Sequence, residues 1–190
     1  MGVLIDDFTT GSFKPSPDIR KDSLEGTQSG TMLGGARRVR FGLNNNPRNQ
    51  PVHFEVGDEN RLNFTVPVGV PVSLELAYGT DAQPGGEAAV PVLVDLSGAK
   101  GLQLEVAYTS VLGFTLTVEL RSNSVARSSF TGRIGGQSGT AFKVPLLFGG
   151  TPQFKFGTSG ERPAELSQIR FVHIVSTIND SCALTRFESV

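Results

Sequence analysis

The chain has 190 residues, a formal net charge of −1, a charged fraction of 18% and a single cysteine. That length suits one all-β domain, large enough to bury roughly 70% of its unfolded surface without help from a disulfide or a metal. The balanced charge excludes recruitment of nucleic acid or of an anionic membrane by a global field, and Cys182 alone excludes an intrachain disulfide while leaving the redox compartment open.

Residues 3–8 read as a first strand, entered directly from Met1-Gly2 with no signal peptide. The expected compartment is the cytoplasm, or the extracellular side if a leader has been removed. A polar stretch follows over 9–30. Residues 38–43 then alternate, with Val39, Phe41 and Leu43 on one face and Arg38 and Arg40 on the other, because successive side chains on a strand point to opposite faces. Residues 52–56 and 62–66 form a hairpin whose turn, Gly57-Asp58-Glu59-Asn60, supplies residues suited to tight backbone conformations.

Strands over 71–78 and 89–96 come next, the second an almost continuous apolar run broken by Pro91. Residues 102–120 read as a second hairpin. Leu102, Leu104, Val106 and Tyr108 alternate with polar or small residues in one arm, and Phe114, Leu116, Val118 and Leu120 do so in the other. On this parity Tyr108 belongs to the packed face, as does Tyr78 in its own strand. Strands over 125–131, 141–148, 153–156, 166–176 and 183–188 complete the chain. A single helical turn is expected at 163–168, and no longer stretch holds a helical period. No run of 18 apolar residues is present, so no transmembrane helix is expected. The pattern predicts a single domain over 1–190, a two-sheet antiparallel β-sandwich of the jelly-roll type.

The chain carries no zinc-protease, nucleophile-elbow or phosphate-loop motif, and the Gly-rich residues 132–139 read as a flexible connection. His53 falls on a polar face. His173 sits in a strand whose two faces are both mixed, so it is a candidate acid, base or ligand anchor. Arg37, Arg38 and Arg40 make a small basic cluster, in which Arg38 and Arg40 project from one face and suit a carboxylate, a phosphate or sugar hydroxyls, although cross-strand carboxylates are the plainer partners. Asp6 and Asp7 near the start, with Asp180 and Glu188 near the end, form a candidate Ca²⁺ ligand set if the first and last strands pair. Asn63 and Asn179 each head a glycosylation sequon.

The opening Leu4-Ile-Asp-Asp-Phe8-Thr-Thr-Gly11, the stretch Asp95-Leu-Ser-Gly98 leading into Leu102-Gln-Leu-Glu-Val106, and Leu166-Ser-Gln-Ile169-Arg-Phe-Val172 together resemble the galactose-binding-like jelly rolls. That superfamily includes many carbohydrate-binding modules. The segment Gly30-Thr-Met-Leu-Gly-Gly-Ala-Arg-Arg38 is similar to exported bacterial β-sandwich proteins. The resemblance implies a glycan or small-molecule ligand on a sheet face, here with Arg38, Arg40 and His173, and a structural Ca²⁺ near the termini. The chain departs from sugar-binding modules in having no Trp.

Two other readings stand beside a non-catalytic binder. One is a Ca²⁺-dependent cyclase or isomerase with His173 and Tyr108 at an apolar pocket lined by Phe114, Phe142 and Phe171. The other is a structural protein that self-assembles through its sheet faces.

Overall fold

The computed structural model describes residues 2–14, 23–43, 45–79, 94, 96, 98–109, 114–122, 126–134, 140–148, 168–176 and 180–190. For residues 23, 58, 114, 121, 122, 126–128, 168–176, 180 and 181 the description is of the backbone alone. Among these residues the strands are β1 (Leu4–Asp6), β2 (Ser23–Ser29), β3 (Ala36–Leu43), β4 (His53–Asp58), β5 (Arg61–Val66), β6 (Val72–Gly79), β7 (Gly101–Thr109), β8 (Phe114–Ser122), β9 (Ala126–Ile134), β10 (Phe142–Leu147), β11 (Gln168–Ser176) and β12 (Asp180–Ser189). One sheet runs β10-β7-β12-β5-β4, with β1 also paired to β12; the other runs β2-β3-β6-β11-β8-β9.

Every strand pair is antiparallel, and the chain passes repeatedly from one sheet to the other, as a jelly-roll sandwich requires. The first and last strands pair as expected, Leu4 opposite Glu188 and Asp6 opposite Phe187. The β4–β5 hairpin also forms. Asp58 pairs with Arg61 across Glu59 and Asn60, both at positive φ, which is what a two-residue turn of the primed type needs.

Residues 102–120 are not a hairpin. The two arms form as strands, but β7 lies between β10 and β12 in the first sheet while β8 lies between β11 and β9 in the second. Alternation reports that each strand has one packed and one wetted face; it carries no information on which strand lies alongside. The polar stretch 9–30 also holds a strand, β2, which forms the edge of the second sheet beside β3. Of the expected helical turn over 163–168 only Gln168 is described, and it opens β11; the rest of that turn and the expected strand over 153–156 lie outside the described residues. So does most of the segment 89–96, of which Val94 and Leu96 are buried.

Of the register irregularities among the strand pairs, two bulges bear on candidate site residues. In β7 the register against β12 runs Val106 opposite Leu184 and then Tyr108 opposite Ala183, so Ala107 is an extra residue. In β11, Val172 pairs with Glu75 and Thr117 while Ile174 pairs with Leu74 and Leu116, so His173 is the extra residue against both neighbours. This explains why that strand reads as mixed on both faces: its apolar parity shifts by one residue midway.

The inner faces share one apolar core, in which Phe41 of the second sheet stacks on Phe54 of the first with ring centroids 4.6 Å apart. A polar cluster crosses the same interior. Arg37 has the inward parity of Val39 and Phe41 and is 0% exposed, while Asp6 from β1 is 2% exposed. Arg37 Nη1 donates to Asp6 Oδ2 at 2.6 Å, and the Tyr78 hydroxyl donates to the same oxygen at 2.8 Å. Asp6 Oδ1 accepts the Phe8 amide at 2.8 Å, holding Phe8 at φ 57° with its ring 5.5 Å from the Arg37 guanidinium carbon. Arg37 Nη2 caps the Gly11 carbonyl at 2.7 Å. A buried charge is tolerated only when paired and hydrogen-bonded; Arg37 is so held through Nη1 and Nη2, its Nε having no partner among the described residues, and the network ties β1 and the segment after it to β3 and β6.

Burial, followed by the neighbouring Asp6 charge, pushes Tyr78 well above its ordinary 10.0. Above pH 10 the unfolded chain therefore binds fewer protons than the folded one, and stability falls as pH rises through that window; below pH 10 the contribution is intact. In a Tyr108→Phe variant, phenolate absorbance is expected to appear only together with loss of the folded signal. Tyr78 ionising in protein that is still folded would contradict the buried cluster.

Candidate functional site

The outer face of the second sheet is built by residues of β3 and its neighbours. Because Arg37, Val39 and Phe41 turn inward, Arg38 and Arg40 turn outward together. Arg40 lies opposite Glu25 on one side and Glu75 on the other. Its Nε and Nη2 donate to Glu25 Oε2 at 3.2 and 3.1 Å, while Arg38 Nη2 donates to Glu75 Oε1 at 3.2 Å. Arg38 Nε lies 3.7 Å from Glu25 Oε1. The same row continues across the sheet through Val172 to Thr117 and Thr131, whose hydroxyls are 3.1 Å apart.

The result is an array of guanidinium donors and carboxylate acceptors over β2, β3 and β6, continued beyond Val172 by hydroxyls on β8 and β9. The Arg40 side chain is 52% exposed and that of Glu25 44%. Exposed pairs of this kind contribute about 0–1 kcal/mol each to stability, so altering them tests binding with little cost to the fold. His173 belongs to this sheet too, as the bulge residue next to Val172 and two strands from Arg40. The three expected ligand-binding positions are therefore brought to one sheet, with Arg38 and Arg40 held by cross-strand carboxylates.

The four expected metal ligands are not brought together. Asp6 turns into the core and gives its carboxylate to Arg37, Tyr78 and the Phe8 amide. Glu188 pairs with Arg186 at 2.8 Å and with Gln103 at 3.3 Å, on the opposite side of the first sheet from Asp6. Asp180 stands at the other end of β12, eight residues from Glu188 at about 3.3 Å per residue, or roughly 26 Å. Burial would raise the Asp7 carboxyl, but hydrogen bonds from the Thr9 hydroxyl and amide, with the charge of Arg186, leave it below its ordinary value. Asp7 is thus satisfied within its own turn, at 2.6 Å from the hydroxyl and 3.0 Å from the amide. Among the described residues, no three of the His, Cys, Asp and Glu side chains form a group able to hold a metal ion.

Tyr108 corrects the reading from parity. Beyond the bulge at Ala107 it lies on the outer face of the first sheet, half-buried, and Thr109 takes the inward position opposite the buried Cys182. Its register row is Tyr108, Ala183, Asn63 and Glu55 across β7, β12, β5 and β4. The Tyr108 hydroxyl is 3.4 Å from Asn63 Oδ1, Asn63 Nδ2 donates to Glu55 Oε1 at 3.1 Å, and Glu55 Oε2 is 3.4 Å from His53 Nε2. The Arg61 guanidinium carbon is 5.9 Å from the Tyr108 ring centroid.

Sequence reasoning assigns no role to Glu55 or Arg61. The available signal is Asn63 and Arg61 sharing the outward parity of β5, but it has meaning only once the bulge turns Tyr108 towards them. Asn63 is 7% exposed with its amide given to Glu55, which makes it a poor acceptor for a glycan in the folded protein. The second sequon, at Asn179, lies outside the described residues.

The two residues assigned to catalysis in the enzyme reading are in different sheets, Tyr108 facing outward from the first and His173 in β11 of the second. Phe142 accompanies Tyr108 in the first sheet, whereas Phe114 and Phe171 belong to the second. Such an arrangement does not gather His173 and Tyr108 around one apolar pocket.

No family model and no curated protein sequence matches the chain. Among solved structures, it is similar to the family 11 carbohydrate-binding module of the cellulosomal cellulase Lic26A-Cel5E of Clostridium thermocellum, with 10% identity and a TM-score of 0.41 over 99% of this chain and 94% of that one. It is similar also to the family 11 module from Clostridium thermocellum in complex with a β-1,3-1,4-mixed-linked tetrasaccharide, with 10% identity and a TM-score of 0.41 over 100% of this chain and 95% of that one.

Proposed function

We propose that the chain is a non-catalytic β-sandwich that binds a carbohydrate or another small polar ligand on the outer face of the second sheet. The observation that carries this reading is the register row that holds Glu25, Arg40 and Glu75 on β2, β3 and β6 and, beyond Val172 of β11, Thr117 and Thr131 on β8 and β9, which presents donors and acceptors across the sheet. Ligand hydroxyls each donate and accept, so they match a surface that carries guanidinium, carboxylate and hydroxyl groups. Because the arginines are already oriented by their carboxylate partners, little side-chain entropy is lost when a ligand docks.

A glycan array, run in Ca²⁺ and again in chelator, tests the reading. At least one class of soluble glycan is expected to bind, and Arg40→Ala is expected to weaken that binding by about tenfold while the variant stays folded. Silence from every sugar class, or binding indifferent to Arg40→Ala, would count against it.

A further inference from the structure

We propose that the outer face of the first sheet carries a second saccharide subsite, in which Tyr108 supplies a stacking ring and Glu55, Asn63 and Arg61 supply the hydrogen-bonding rim. The proposal takes its ligand class from the reading above, but none of its residues. Tyr108 and Asn63 are separated by β12, which sets their strands about 9.6 Å apart at ~4.8 Å per strand. Yet the phenol reaches to 3.4 Å from Asn63 Oδ1. The ring must therefore lie along the sheet across Ala183 rather than stand away from it. Ala183 is 0% exposed although it sits on the outer face, as a residue roofed by that ring would be.

A ring laid flat turns one face to the protein; the Arg61 guanidinium carbon stands over the ring, 5.9 Å from its centroid, and a pyranose stacking on the half-buried Tyr108 takes the place of that guanidinium. A ring laid flat is oriented as an aromatic on which the apolar C–H face of a pyranose stacks. The small side chain at position 183 is what lets the ring lie down.

The rim is held in place before any ligand arrives. Asn63 is fixed between Tyr108 and Glu55, and Glu55 between Asn63 and His53. Arg61 pairs with Glu59 and stands over the ring, and its Nε is buried without a hydrogen-bond partner among the described residues, so it is placed to donate to a ligand that displaces it from the ring. Glu55 opposes an anionic ligand and Arg61 opposes a cationic one. A neutral ligand with both donors and acceptors around an apolar face satisfies all of these groups, and a pyranose has that character.

The chain has two tyrosines and no tryptophan, and Tyr78 is wholly buried, so a tyrosine probe on the surface reports Tyr108 alone. Fluorine NMR of fluorotyrosine-labelled protein, with the Tyr108 signal assigned by its loss in Tyr108→Phe, should be titrated with cello-, xylo-, manno- and mixed-linkage gluco-oligosaccharides. One of these is expected to move the Tyr108 resonance saturably and leave that of Tyr78 in place. By calorimetry on unlabelled protein, Tyr108→Ala and Glu55→Gln should each weaken this binding by about tenfold, and Tyr108→Phe, which keeps the ring, by much less.

A Tyr108 resonance unmoved by every oligosaccharide overturns the subsite, as does binding that Tyr108→Ala and Glu55→Gln both leave intact. Binding that Arg40→Ala abolishes while the Tyr108 resonance stays fixed would overturn this proposal and support the site on the second sheet. A saturable Tyr108 shift that survives Arg40→Ala would support this subsite independently of the site on the second sheet.

Discussion

Asp6→Ala is expected to cost about 3–5 kcal/mol of stability, because it strands the wholly buried Arg37 without its counter-charge. The same substitution removes the acceptor for the Tyr78 hydroxyl and the Phe8 amide. Since a single domain is stable by only about 5–15 kcal/mol, this is a large part of the total. The expensive element is the unpaired charge, so the double variant Asp6→Leu with Arg37→Met should lose much less than Asp6→Ala alone. Denaturant unfolding of the variants forms the test. A double variant at least as unstable as Asp6→Ala would show that the pair contributes through something other than charge compensation. The loss in Asp6→Ala is also expected to be equal in Ca²⁺ and in chelator, because the carboxylate is already taken by Arg37.

Phe41→Ala is expected to cost about 3–5 kcal/mol, the range for removing a buried aromatic ring from a packed core. Phe41 is 0% exposed and joins the sheets by stacking on Phe54 at an interplanar angle of 15°. A double-mutant cycle with Phe54→Ala should return a coupling of about 0.5–1.5 kcal/mol, the part that belongs to the ring pair beyond its burial. Additive losses would mean that the stack has no energy of its own.

These two sites also show how far the sequence was legible. The inward place of Phe41 follows from simple alternation with Arg38 and Arg40. Alternation equally puts Arg37 on the buried side, yet three arginines so close together read as one basic cluster. A buried Arg requires a buried acid, and Asp6, inside the first strand, can be found by that reasoning. Strand β2 escapes because Ser23–Ser29, an edge strand, has almost no apolar face to betray it.

The misplacement of Tyr108 has a sharper cause. One extra residue, Ala107, reverses the parity of everything after it, and a bulge leaves no clear mark in a single sequence. At His173 the mark is there, because Ile169 and Phe171 fall on one parity and Ile174 on the other. The pairing of β7 and β8 with different partners depends on the whole topology, and local alternation does not encode it. Of the candidate sites, the Arg38 and Arg40 face was readable because it needs only one strand. The Tyr108 row needs four strands in register and a bulge.

Amide-resolved NMR during titration with the glycan selected on the array tests the central claim most directly. Saturable shifts are expected to cluster at Arg38, Arg40, Glu75, Thr117 and Thr131 on the second sheet. Shifts confined to loops, to the strand ends or to the first sheet, or no shift with any soluble glycan, would contradict the assignment of that face as a binding surface.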